Sequence, residues 1–151
     1  MTTLRILITG SRTWTDTNAF GEALYKAINA ADADEVTVVH GACPSGADRM
    51  ATEFCESEAE WFDGMGRQLA EEAHPAEEFG SWPGCGPRRN RHMVSLGADV
   101  CVAFIEPCTR PACRKPRPHD SHGTAGTVEL CERAGIPVRP VRVGVPLRAP
   151  S

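Results

Sequence analysis

The sequence has no long apolar run. Its longest stretches, "LRILITG" and "VCVAFI", fall far short of the roughly 20 residues that a membrane-spanning helix needs. The opening "MTTLRILITG" enters an apolar segment directly, with neither a basic stretch nor a small-residue cleavage site. A cytoplasmic protein with no membrane partner is expected. Aromatic residues are scarce, at 6% of the chain, which leaves few surfaces on which a strand of nucleobases could stack. A disulfide framework is not expected either, because the seven cysteines are odd in number and no secretory leader precedes them. Cys101 and Cys131 fall in apolar periodic segments and read as small buried hydrophobes.

What is present fits an ordinary globular domain. The 151 residues are 41% hydrophobic and 24% charged. The net charge of −4 is unevenly distributed. Residues 1–80 carry 5 basic and 15 acidic side chains, whereas residues 81–151 carry 11 and 5, so an anionic ligand is expected at the second half. Scattered, unpartnered surface arginines are the alternative.

Strands and helices alternate through short connections. A first strand is predicted over Leu4–Thr9, ending at Gly10. A helix follows with Phe20, Leu24, Ala27 and Ile28 on its apolar face. "DEVTVVHG" predicts a second strand, and a helix from near Gly46 carries Met50, Phe54 and Trp61. A short third strand is predicted around Leu69–Ala73, a helix after Pro87, and a fourth strand in "ADVCVAFIE". "TAGTVELCERAG" predicts a helix closing at Gly135, and "IPVRPVRV" a last strand. This order predicts an α/β sandwich with a mainly parallel sheet. One domain is expected over residues 1–143, with an insertion at 106–122 and a frayed tail at 144–151.

In such a fold, ligands sit beyond the carboxyl ends of the strands, so the segments that follow strands matter most. "TGSRTW" offers the Ser11 hydroxyl and the Arg12 guanidinium, which suits a phosphate. "VVHGACPSGADRMA" is a strand, a small-residue turn and a helix start, although it is neither a G-x-G-x-x-G run nor a Walker A loop. Gly41 and Gly46 allow close backbone approach, and Asp48 either caps the helix or holds a ribose hydroxyl. "HGTAGTVE" supplies Gly123, Thr124, Gly126 and Thr127 before a helix, as a phosphate cradle or as helix caps.

These segments, with "HPAEEFGSWPGCGPRRNRHMVSLGADVCVAF" and "GTAGTVELCERAGIPV", resemble the YspA-like, YpsA-related branch of the SLOG superfamily. The likeness runs from about residue 4 to 141. It implies a Rossmann-like three-layer domain that binds a nucleotide or nucleotide-derived small molecule, as a sensor or sequestering module. By this resemblance Gly10, Ser11 and Arg12 form one ligand loop, and Gly41, Gly46, Ala47 and Asp48 a second. Pro87, Arg89, Asn90 and Arg91, with Gly123, Thr124, Gly126 and Thr127, complete the site, and a homodimer is plausible.

Two relatives within the superfamily imply alternatives. The Lonely Guy enzymes cleave the N-glycosidic bond of nucleoside monophosphates with a P-G-G-x-G-T-x-x-E signature. Here the glutamate stands one residue early, which swings it by about 100° around a helix. Glu129 and Asp48 are the catalytic candidates for such a reaction. The DNA-processing protein A family binds single-stranded DNA and has a helix resembling "RRNRHM". The acidic balance and few aromatics argue against a nucleic-acid partner for this chain.

The segment "IEPCTRPACRKPRPHDSH" departs from the short loop of that family. Cys108, Cys113, His119 and His122 form C-x₄-C-x₅-H-x₂-H, a sufficient ligand set for a structural zinc. The alternative is a solvated loop whose arginines act as a mobile lid. His40, Cys43, Cys85 and His92 form a competing set. No other cofactor is required.

Overall fold

The computed structural model describes residues 2–143. The expected tail at 144–151 lies outside the described residues. The elements are β1 (Thr3–Gly10), α1 (Thr17–Ala31), β2 (Glu35–His40), α2 (Gly46–Gly64) and β3 (Gln68–Ala73), then α3 (Cys85–Ser95), β4 (Val100–Ile105), α4 (His122–Arg133) and β5 (Val138–Arg142). A single 3₁₀ turn, Ala76–Phe79, precedes α3. The five strands pair in the order β3-β2-β1-β4-β5, and every pairing is parallel. The fold is therefore Rossmann-like α/β, and the strand order reverses between β1 and β4.

Alternation along the central strands builds two apolar faces. Leu4, Ile6 and Ile8 of β1, with Val100, Val102 and Phe104 of β4, face α1 and α2. Leu7 and Cys101 point to the opposite face, where Met93, Val94 and Cys131 pack. The larger face holds the aromatics: Phe20 stacks on Phe104 at 4.7 Å, and Trp14 meets the same ring edge-on at 5.3 Å. Trp61, expected on the apolar stripe of α2, is 60% exposed, and the neighbouring Phe62 is the buried ring. A step of about 100° per residue is enough to exchange the two.

No described helix is long and apolar enough to cross a membrane. The outer strand β3 is held by charge as well as by its ladder. Arg5 on β1 reaches across β2 to Glu72 with two bonds of 3.0 and 2.9 Å, and His74 adds a third contact at 2.9 Å. Arg5, together with His74, draws the Glu72 carboxyl from its ordinary 4.5 down to about 2. A depressed carboxyl contributes stability above its unfolded value and loses it as pH falls through its folded value. Glu72 is one-third exposed, so its share stays near or below ~1 kcal/mol. Glu72→Gln is expected to be less stable than the parent at pH 7 and to converge with it near pH 2. Urea midpoints measured across that range check this, and an equal deficit at both ends contradicts it.

Candidate functional site

Three chain segments meet where the strand order reverses. After β1, the Ser11 amide donates to the Phe104 carbonyl at 3.1 Å, so the β1 exit is tied to β4. The Ser11 carbonyl then accepts from the amides of Trp14 (3.3 Å) and Ala47 (3.2 Å), which joins the β1–α1 loop to the start of α2. Gly46 has φ +68, and a Cβ there would collide with the Ser11 carbonyl and the Arg12 backbone. Gly10 fits an equally close gap, because its Cβ would lie 2.7 Å from that of Ala47. Glycine is required here by contact, not only by turn geometry.

The β2–α2 turn is braced from beneath. His40 is buried, and its Nδ1 accepts from the Ala42 amide at 3.0 Å. The proton of this neutral ring therefore lies on Nε2, which donates to Glu71 at 2.6 Å. Thr52 donates to the same Glu71 oxygen at 2.5 Å, and this bond, ahead of the His40 contact, lowers the Glu71 carboxyl. Asp48 accepts from the Cys43 amide at 3.2 Å. Burial raises the Asp48 carboxyl, while the Cys43 amide and the charge of Arg89 oppose that rise. Asp48 thus closes its own turn. A polar hollow of about 410 Å³ opens beside this turn, between His40, Thr52 and Glu71.

The arginines of α3 divide into engaged and free. Arg89 donates to the Gly41 carbonyl at 2.5 Å and to Asn90 Oδ1 at 2.7 Å, and it fills the space that a Cβ on Gly41 would occupy. Arg88 donates to the Phe79 carbonyl at 2.7 Å. Both are struts between α3 and the loops below. Arg91 is exposed, about 200° round the helix from Arg89, and makes no hydrogen bond or ion pair among the described residues. Arg12 is also exposed, and its guanidinium carbon lies 5.5 Å from the ring centroid of Trp82.

At α4, Ser121 occupies the capping position without bonding a helix amide, so the first-turn N–H groups face outward without a side-chain cap. Gly123 and Gly126 are exposed, with no atom within 4 Å of a Cβ built on either. Thr124 and Thr127 are buried, and the Thr127 hydroxyl donates back to the Gly123 carbonyl at 3.1 Å. Their hydroxyls serve the helix, and the outward groups of this turn are its amides. Glu129 is exposed and pairs with Arg133 at 2.5 Å. Glu106, which the sequence did not single out, links the edge: its carboxylate accepts from Thr13 at 2.7 Å, and its carbonyl accepts from the Ser121 amide at 3.0 Å.

Cys108, Cys113, His119 and His122 converge, with one ligand atom from each lying within 4.8 Å of the others. The Cys113 sulfur is 3.4 Å from His119 Nε2 and 3.3 Å from His122 Nε2, and the Cys108 sulfur is 3.7 Å from His122 Nε2. The two Nε2 atoms are 3.2 Å apart. Zinc–sulfur and zinc–nitrogen bonds of about 2.3 and 2.0 Å place tetrahedral ligands roughly 3.6 Å (S to N) and 3.3 Å (N to N) apart. These four edges lie close to those values. His119 Nδ1 lies 2.9 Å from the Pro116 carbonyl, which fixes its proton there and leaves Nε2 free for a metal. The Arg110 amide, then His119 and Arg117, draw the Cys108 thiol down to about 7. Partial desolvation and the charge of Lys115 hold His122 below its ordinary value. Both shifts favour the protonation states that ligate metal. The competing set disperses, since His40 is bound to Glu71 and His92 packs against Phe79 at 5.1 Å.

The geometry defines a Rossmann-like domain whose glycine-lined loops meet at the β1/β4 crossover. The model of the YspA, cpYpsA-related SLOG family matches residues 4–60. The chain is also 37% identical over 139 residues to the "Gene 61 protein" of Mycobacterium phage D29, spanning 89% of this chain and 93% of that protein. It belongs to the YspA, cpYpsA-related SLOG family. No solved structure matches it.

Gly46→Ala is expected to cost more than about 2 kcal/mol, combining left-handed strain with the collision at Ser11. Gly123→Ala, at an open helical position, is expected to be neutral or to stabilise by up to about 1 kcal/mol. Urea unfolding of the two variants checks the contrast, and equal midpoints contradict it.

Proposed function

We propose that this protein binds a nucleotide or nucleotide-derived small molecule at the β1/β4 crossover, as a sensor or sequestering module. The observation that carries this reading is Arg12. Its exposed guanidinium has no carboxylate partner among the described residues, and it follows the Ser11 turn that hydrogen bonds connect to α2 and, through Glu106, to α4. Backbone amides at helix starts and an unneutralised arginine suit a phosphate group. The proposed contacts are the Ser11 hydroxyl, Arg12, Gly46 and the first turn of α4 from Gly123, with Gly10 and Ala47 packed directly beneath them. Gly41, Asp48, Arg89 and Asn90 hold these loops in place. Glycosidic cleavage finds less support, because Glu129 is paired with Arg133 and Asp48 is bonded within its own turn.

The Cys₂His₂ group favours a further element of this reading, a structural zinc. Four protein ligands leave no open position for water, so the ion would hold the loop and take no part in hydrolysis. A cytoplasmic setting keeps both thiols reduced and available. A homodimer remains an expectation drawn from the family resemblance.

Thermal shift and titration with nucleoside mono- and diphosphates, ADP-ribose and cyclic dinucleotides test the binding. One of these is expected to stabilise the protein, and Arg12→Ala to weaken its binding by roughly tenfold to a hundredfold. Release of free base that Glu129→Ala abolishes contradicts binding without turnover. For the metal, elemental analysis is expected to find about one zinc per chain, lost in Cys108→Ser. Cobalt-loaded protein is expected to show tetrahedral visible bands. Metal-free protein that also gives no cobalt spectrum contradicts the site.

A further inference from the structure

The connection between β4 and α4 contains almost nothing that folds by burial. Of residues 107–121 only Cys108 is buried, and Arg110, Arg114, Lys115 and Arg117 crowd four cations into eight positions. Such a segment orders only if specific bonds replace the missing core. The bonds present are few. Cys108 and His119 share a backbone hydrogen bond of 2.7 Å, and Pro107 bridges Asp120. Arg117 donates to the carbonyls of Cys108 and Arg110, and Arg142 holds Asp120 with contacts of 2.9 and 3.2 Å. The Cys₂His₂ group closes this loop on itself.

Its position matters more than its chemistry. His122 is a member of the metal group and also the first residue of α4. One residue before it, the Ser121 amide donates to the Glu106 carbonyl, and the Glu106 carboxylate accepts from the Thr13 hydroxyl. Thr13 in turn bonds Ser11 through its own hydroxyl (2.8 Å) and its amide (3.1 Å). A continuous set of hydrogen bonds therefore runs from the metal group to the turn after β1.

We infer that the metal at Cys108, Cys113, His119 and His122 acts as a clamp on the ligand edge. It orders the β4–α4 connection, fixes the first turn of α4, and through Glu106 holds the Ser11–Thr13 turn in its binding conformation. The inference rests on the zinc reading above. The switching element is an order–disorder transition of residues 107–121, which metal binding drives because the ligands are not held together without it. Zinc availability and thiol oxidation then become inputs to the binding edge, with no metal contact to the ligand itself.

Amide hydrogen exchange on the full chain, zinc-loaded and after chelation, tests this without any nucleotide. Chelation is expected to raise exchange at least tenfold at Ser121 and at Thr13 and Trp14, while the inner amides of β1 and β2 stay protected. Cys113→Ser, never chelated, is expected to match the chelated parent. Glu106→Ala is expected to keep its zinc yet to show Thr13 and Trp14 exchange that no longer depends on the metal. Faster exchange confined to residues 107–121 overturns the clamp and leaves zinc as a local staple. Loss of protection throughout the sheet also overturns it, because the metal would then support the whole fold. Protein that binds no zinc removes the zinc reading and this inference together, and leaves nucleotide binding at Arg12 untouched.

Discussion

The Ser11 carbonyl is the contact on which the site depends. It accepts from Ala47 and Trp14 while the Ser11 amide donates to Phe104, so one residue ties β1, β4 and α2 together at the crossover. That arrangement demands glycine at 46 and at 10, because any side chain there would push the loops apart. It also leaves Arg12, the next residue, exposed with the Trp82 ring beside its guanidinium. A polar edge results from apolar packing underneath: Phe104, whose carbonyl anchors Ser11, is itself gripped by Phe20 and Trp14.

Charge follows the same division. The second half of the chain is rich in arginine, but half of its ten arginines are engaged within the protein. Arg88 and Arg89 bind carbonyls below α3, Arg117 closes the metal loop, and Arg133 and Arg142 pair with carboxylates. A basic composition therefore overstated the charge available to a ligand. Arg12, from the acidic half, is the cation best placed at the crossover, and the neighbouring carboxylate of Glu106 is occupied by Thr13.

Strands β1, β2 and β4 were legible because each is a short apolar run closed by a nearby glycine or proline, and the alternation of strands with helices fixed the fold class. The tight turns after β1 and β2 were legible for a related reason, since close approach leaves glycines in the sequence. The convergence of the two cysteines and two histidines was readable from four such residues within fifteen positions. Glu106, the His40–Glu71 pair and the Trp82 contact to Arg12 were not, because the partners lie 93, 31 and 70 residues apart and no local spacing encodes them. The two threonines of α4 show the opposite problem: a phosphate-like pattern of hydroxyls belongs to residues whose side chains are buried in the helix.

Amide chemical-shift mapping of the zinc-loaded protein with a nucleoside monophosphate tests the central claim most directly. Shifts centred on Ser11, Arg12, Gly46, Ala47 and the Gly123–Thr124 turn are expected. Shifts confined to a second hollow, which Val128 and Glu132 of α4 and Gly135–Val138 line, or no shifts with any nucleotide, would contradict binding at the crossover.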